Sequence, residues 1–412
     1  MDKELQKALY AVDKVCRLQH EVGVHKDSIR KQRLDSFLFK LHAKCPKSYL
    51  LAILTIVRSL VPAARTRLVR NVALLGYDPT PRQRFGAVAQ TFHGDFFDAG
   101  KDRRPTFWAV RQSLKILCRK KTLEFAHQTL QEHPYVWAKY LIQTYVSYTF
   151  FKKYIKKAKP QVAVIVSDHT PVPCGFIRAA EKRGVPTVYI QHAHISESFP
   201  PLDYSLSVLE GQAALDTYKK IGPARGDVVF KGVAGDSKPF RVPDFSQGIK
   251  AGIFAGHKFT HGVQKLAEEV ARQPWCKELH LRPHPAHKHH FPTELNVAGE
   301  CVFHRSDCSL SAFEEAEKMD VVFVGNSSSA LEVMKNGTPC IYFDDMDEIP
   351  HDYYGFVRYG LLPEVKNLAA LKDLESTLNA VFDGTWPQKM AYFDGGYNKS
   401  PEEIQNNIKS AV

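Results

Sequence analysis

Residues 326–329, Asn-Ser-Ser-Ser, stand between a β-branched apolar run and an apolar helical stretch in DVVFVGNSSSALEVMKNGTPCIYFDD, residues 320–345. Serine hydroxyls at a helix start, together with its backbone N–H groups, make an anion site, because the donors and the helix dipole point the same way. A phosphate fits there. Glu332 lies about one turn further on, within reach of a ribose hydroxyl of the same ligand. The plainer alternative is an N-cap followed by a solvated glutamate. Two other clusters invite a metal: His280, His284, His287, His289 and His290 in HLRPHPAHKHH, and the acidic loop Asp344, Asp345, Asp347 and Glu348. The histidine spacing is irregular and lacks carboxylates in a regular pattern, and a solvated loop accounts for the acids, so we expect no metal.

These residues need elements to hold them. Residues 321–324 suit a strand covered on both faces, and Gly337 and Pro339 end the helix before residues 340–343 resume as a strand, giving a βαβ unit. Its turn falls at the carboxyl end of a parallel sheet, where open α/β folds bind ligands. A similar rhythm runs earlier: strands at residues 162–168, 187–191, 204–208 and 228–230, with a helix at 173–183, place Asp168, His169, His192, His194 and Glu210 along one rim. Residues 235–248 are rich in Gly, Pro, Ser and charge and read as a linker. A second α/β set follows from residue 252, and the tail is helical at 368–382 and 401–411.

We therefore expect a helical region at 1–70, a Rossmann-like domain with a helical insertion at 71–238, a second Rossmann-like domain at 249–385, and a C-terminal helix at 386–412 returning to the first domain. Residues 48–70 put an apolar segment beside Arg58, Arg65, Arg67 and Arg70, a pattern compatible with a membrane interface as well as with a core-facing helix. The chain of 412 residues is 44% hydrophobic, enough to bury two cores. Its opening lacks a signal-peptide core, and no run reaches the roughly 18 apolar residues of a membrane span, so we expect a cytoplasmic protein. Eight cysteines without a CxxC pair suggest neither a disulfide framework nor a zinc site. Charge is uneven: residues 1–160 carry 31 Lys+Arg against 12 Asp+Glu, and the remainder 25 against 32. The basic half suits an anionic membrane or acceptor; no nucleic-acid module is recognisable.

The segment GVPTVYIQHAHISESFPPLDYSLSVLEG, the motif LRPHP and the stretch GNSSSALEVMKNGTPCIYFD together resemble bacterial surface-polysaccharide glycosyltransferases. That group includes CDP-glycerol glycerophosphotransferases, polysialyltransferases and transferases of 3-deoxy-octulosonic acid. The resemblance covers about residues 160–345. This chain has Gln191-His192-Ala193 where the common form is Gln-His-Gly, and it lacks the acidic-acidic-Gly motif of the polysialyltransferases. The resemblance implies a GT-B α/β fold of two doubly wound domains facing a cleft, and a metal-independent transfer of a sugar from a nucleotide donor. It implies that His284 and Ser327, Ser328 and Ser329 bind the donor phosphate, with Arg282 nearby as charge. Such a transfer also needs a base for the acceptor hydroxyl: Asp168 is the first candidate, ending a buried strand, followed by His192 and His194. We expect no cofactor, a donor linked through CMP or CDP rather than UDP, a glycan or lipid-linked glycan acceptor, and peripheral contact with an anionic membrane. The competing readings are a UDP-N-acetylglucosamine 2-epimerase-like enzyme and a non-catalytic protein that binds anionic surfaces.

Overall fold

The computed structural model describes residues 2–21, 33–72, 74–77, 96–99, 106–192, 194–197, 199–240, 242–256, 259–285, 301–348 and 351–410. The chain divides into two compact units, each with its own parallel sheet: residues 1–209, 215–229 and 405–412 in one, 210–214 and 230–404 in the other.

The first unit opens with helices α1 (Lys3–Glu21), α2 (Arg33–Lys44) and α3 (Tyr49–Ala64), then strands β1 (Leu74–Tyr77) and β2 (Phe96–Asp98). Helices α4 (Phe107–Leu117), α5 (Lys120–Glu132) and α6 (Tyr135–Ala158) follow, then β3 (Val162–Ile165), α7 (Pro171–Glu181), β4 (Thr187–Ile190), β5 (Asp203–Leu209), α8 (Gln212–Ile221) and β6 (Arg225–Phe230). The sheet order is β2-β1-β3-β4-β5-β6, and the strands from β2 to β5 run parallel. Helix α6 is buried along most of its length and ends where Lys159 turns left-handed, with φ of 49°. Its contact with α7 requires Gly175, because a Cβ there would lie 2.7 Å from the Tyr148 backbone nitrogen. The aromatics of α6 do go inside, Tyr148, Phe150, Phe151 and Tyr154 all being buried. Helix α1 packs on α6 and α7, and Lys7 bonds to Asp203 at 2.7 Å, so the N-terminal helices are part of this unit. Strand β2, three residues long, is one the sequence pattern does not reveal.

In the second unit the order is β11-β10-β7-β8-β9, all parallel, from β7 (Ile249–Phe254), β8 (Cys276–Arg282), β9 (Val302–Arg305), β10 (Val321–Val324) and β11 (Cys340–Tyr342). Helix α9 (Gly262–Arg272) covers one face through Val263, Leu266 and Val270. The other face is covered by α10 (Ala312–Ala316) and α11 (Ser329–Lys335). Helix α12 (Leu374–Val381) completes the first layer. Two expectations change here. The stretch read as a linker is bound into this unit, since Phe240 packs 4.4 Å from Trp386 and Phe245 lies against Trp275. Helix α13 (Trp386–Phe393) also belongs here: Trp386, Met390 and Phe393 are core residues, and the Trp386 indole donates to the Leu361 carbonyl at 3.0 Å. From the expected returning tail, residues 405–412 alone group with the first unit, at the end of α14 (Pro401–Ser410).

Candidate functional site

Strand β10 is buried at all four positions, so its direction and end are fixed by packing. At that end the chain must turn in very little room. A Cβ on Gly325 would lie 2.0 Å from Oδ2 of Asp347, so only glycine fits beneath that carboxylate. The same carboxylate accepts the backbone N–H of Asn326. The Asn326 side chain completes the clamp, donating to the Tyr342 hydroxyl at 2.9 Å and accepting the Tyr353 N–H at 2.7 Å. Tyr342 in turn donates to Asp344 at 3.0 Å. Asp347 is thus not a solvated loop acid. Burial pushes its carboxyl up to about 6, against the opposing pull of the Asn326 N–H.

The clamp leaves Ser327, Ser328 and Ser329 half-buried on the outer side of the turn. The Ser327 and Ser329 hydroxyls lie 2.7 Å apart, and the Ser329 N–H donates to Ser327 Oγ at 3.3 Å. Ser328 makes no capping bond with its side chain. The plain N-cap role therefore falls to Ser327. Glu332 is half-buried on α11.

His284 follows the end of β8, two strands from β10 across β7. Two strand spacings come to about 10 Å, which a phosphate or diphosphate spans with one hydrogen bond at each end. Between them β7 ends at Phe254, and two residues on a Cβ at Gly256 would meet Asp347 at 2.6 Å, so glycine is needed there. Arg282 does not serve as free charge. Its guanidinium is buried, bonded to the Glu315 carboxylate and to the Leu310 carbonyl at 2.9 Å, with Ser306 also on Glu315 at 2.8 Å. It ties β8 to α10 because a buried guanidinium needs a carboxylate partner. Burial lowers its pKa, opposed by the neighbouring Cys308, Glu332 and Asp307.

In the first unit Asp168 is 1% exposed at the end of β3. Tyr218 donates to its Oδ2 at 2.6 Å, and His169 Nδ1 lies 2.8 Å from its Oδ1. With both oxygens engaged, Asp168 is placed to orient rather than to meet a substrate. His169 is the group it orients: bonding at Nδ1 makes Nε2 the basic nitrogen, on a half-buried ring steadied edge-on by Phe199 at 4.7 Å. His192 is half-buried beyond β4, and His194 is fully buried.

Solved structures this chain is similar to include glycosyltransferases and 2-epimerases. The UDP-GlcNAc 2-epimerase of Neisseria meningitidis, solved with UDP-GlcNAc, is 10% identical with a TM-score of 0.48 over 82% of this chain and 98% of its own. The kitacinnamycin glycotransferase is 10% identical at a TM-score of 0.47 over 84% and 96%, and the lipopolysaccharide outer core galactosyltransferase WaaB 14% identical at 0.39 over 82% and 95%. No protein-family profile and no curated protein matches the sequence.

Two residues are not singled out by the motifs. His169 falls on the rim beside Asp168 but not among the expected bases, although an imidazole directly after a strand-end carboxylate is a signal. Asp347 had none, because its acidic neighbours mask it as surface. His287, His289 and His290 lie outside the described residues.

Proposed function

We propose that this chain is a metal-independent glycosyltransferase of the GT-B type. It moves a sugar or sugar acid from a nucleotide donor, cytidine-linked in preference to uridine-linked, to a bacterial surface-polysaccharide or lipid-linked acceptor. The observation that carries the reading is the clamped Gly325–Ser329 turn, with three half-buried serines at the carboxyl end of a central strand and His284 about 10 Å along the rim. In an inverting transfer His169 Nε2 takes the acceptor hydroxyl's proton and that oxygen bonds to the sugar's anomeric carbon. The bond to the donor phosphate breaks and its electron pair leaves with the nucleotide. The growing phosphate charge is met by the serine hydroxyls, the turn and His284. Asp168 is a positioning residue. The test is nucleotide release from CMP-, CDP- and UDP-sugars with a glycan acceptor present. His169→Ala should lower turnover by about 10²- to 10⁴-fold while leaving donor binding intact, and unchanged turnover would remove His169 from the reaction. Turnover of UDP-N-acetylglucosamine alone would instead favour the 2-epimerase-like reading.

We further place the enzyme in the cytoplasm, docked on an anionic membrane surface. Two helices that pack on each other support this. Helix α3 exposes Leu50, Ile53 and Val57, and α4 exposes Phe107, 84% accessible, with Val110 and Leu114. Both sets follow i, i+3, i+7, one stripe per helix. No acidic residue occurs between Asp35 and Asp78 or between Asp102 and Glu124 in the sequence. An apolar stripe within such a basic setting matches the charge and chemistry of an anionic bilayer surface.

A further inference from the structure

Glu278 and His280 sit two residues apart on β8 and so point to the same face of the sheet. On the neighbouring edge strand β9, His304 is the register partner of His280. The two imidazoles stack with centroids 4.6 Å apart and planes 24° apart. Both aim Nε2 at one carboxylate oxygen: Glu278 Oε2 lies 3.3 Å from His280 Nε2 and 3.6 Å from His304 Nε2. The other oxygen, Oε1, is held by Lys250 Nζ at 2.9 Å, which fixes the carboxylate's rotation.

We propose that Glu278, His280 and His304 form a binding site for zinc or a similar borderline divalent metal. The distances carry the argument. A tetrahedral ion with bonds of about 2.0–2.1 Å has ligand atoms roughly 3.3–3.5 Å apart, the separation already present between the carboxylate oxygen and each imidazole nitrogen. All three ligand atoms lie within 4.8 Å of one another. Two imidazoles and one carboxylate suit zinc, whereas magnesium and calcium take oxygen sets. His304 is exposed and the other two are half-buried, so the fourth position faces solvent and the ion has a way in. Lys250 acts through Glu278, in the manner of the outer partners that orient metal ligands. The bound ion would fasten the four-residue edge strand β9 to β8. This site is separate from the rim that carries Ser327–Ser329 and His284, and from the transfer reaction.

The experiment is a titration of the full chain, tag removed and chelator-stripped, with Zn²⁺ against a chromophoric chelator. Wild type is compared with His304→Gln and Glu278→Gln, both conservative changes at accessible positions. Wild type should take up one equivalent more than either variant, or hold that equivalent more than about 100-fold tighter, since losing even an outer partner of a metal ligand costs 10- to 100-fold. Its thermal midpoint should rise further with Zn²⁺ than those of the variants. Any zinc held elsewhere contributes equally to all three proteins. Equal uptake and equal affinity in the three, or no uptake by wild type, would overturn the proposal.

Discussion

The roles proposed for His284 and His169, and the buried carboxyl of Asp347, each rest on a single side chain with its own readout. The buried Asp347 holds its proton up to about pH 6, while the same group in the unfolded chain releases it near 3.8. Between those values the folded state binds the extra proton, so stability falls as pH rises through that window and the protonated form's advantage is gone above it. Asp347→Asn keeps an acceptor for the Asn326 N–H without the charge. It should flatten the pH profile between 4 and 6 and raise stability at pH 7.5 by on the order of 2–3 kcal/mol relative to wild type, measured by denaturant unfolding. Parallel profiles for the two proteins would show that the carboxyl titrates normally. His284→Ala should lose a charge-assisted contact to phosphate of about 1.5–3 kcal/mol, seen as weaker nucleotide binding with the fold intact. The sequence reveals the serines and His284 through their position after apolar runs. It hides the Asp347 clamp, because burial of a single acid among Asp344, Asp345 and Glu348 is decided by Gly256 and Gly325, far away in the chain.

Elements decide where those side chains stand. Strands β10 and β11 are legible in sequence because a strand buried on both faces must be apolar throughout. Strand β2 is not, since three residues carry no period to read. The sequence of helix α3 suits a core helix as well as an interfacial one; the structure buries Leu51, Thr55, Ile56 and Leu60 and leaves Leu50, Ile53 and Val57 exposed. Periodicity alone cannot separate the two faces of a helix that is apolar all round. Replacing Leu50, Ile53, Phe107 and Val110 by Ser should release the protein from anionic liposomes in a flotation assay while nucleotide binding persists. Equal flotation of variant and wild type would mean the stripes meet something other than lipid.

Across the whole molecule, charge and chemistry separate by unit. Residues 1–160 carry the excess of Lys and Arg, all of them in the first compact unit, and the serine turn with His284 lies in the second. The two-sheet α/β organisation was visible in the sequence as two strand-helix rhythms. The unit boundaries were not, because residues 210–214 and the helix Trp386–Phe393 join the second core through contacts distant in sequence. A chelator should leave transfer intact whether or not the Glu278, His280 and His304 site binds zinc, because the proposed reaction uses none of those residues. The central claim is that the second unit binds a nucleotide phosphate at the serine turn. Calorimetric titration of wild type, Ser328→Ala and His284→Ala with CMP, CDP, UDP and GDP tests it directly. Ser328 is the cleanest probe, because its side chain makes no capping bond that the fold needs. Wild type should bind a cytidine nucleotide most tightly, and each variant should bind it at least about tenfold more weakly. Absence of nucleotide binding in wild type, or equal affinity in all three proteins, would contradict it.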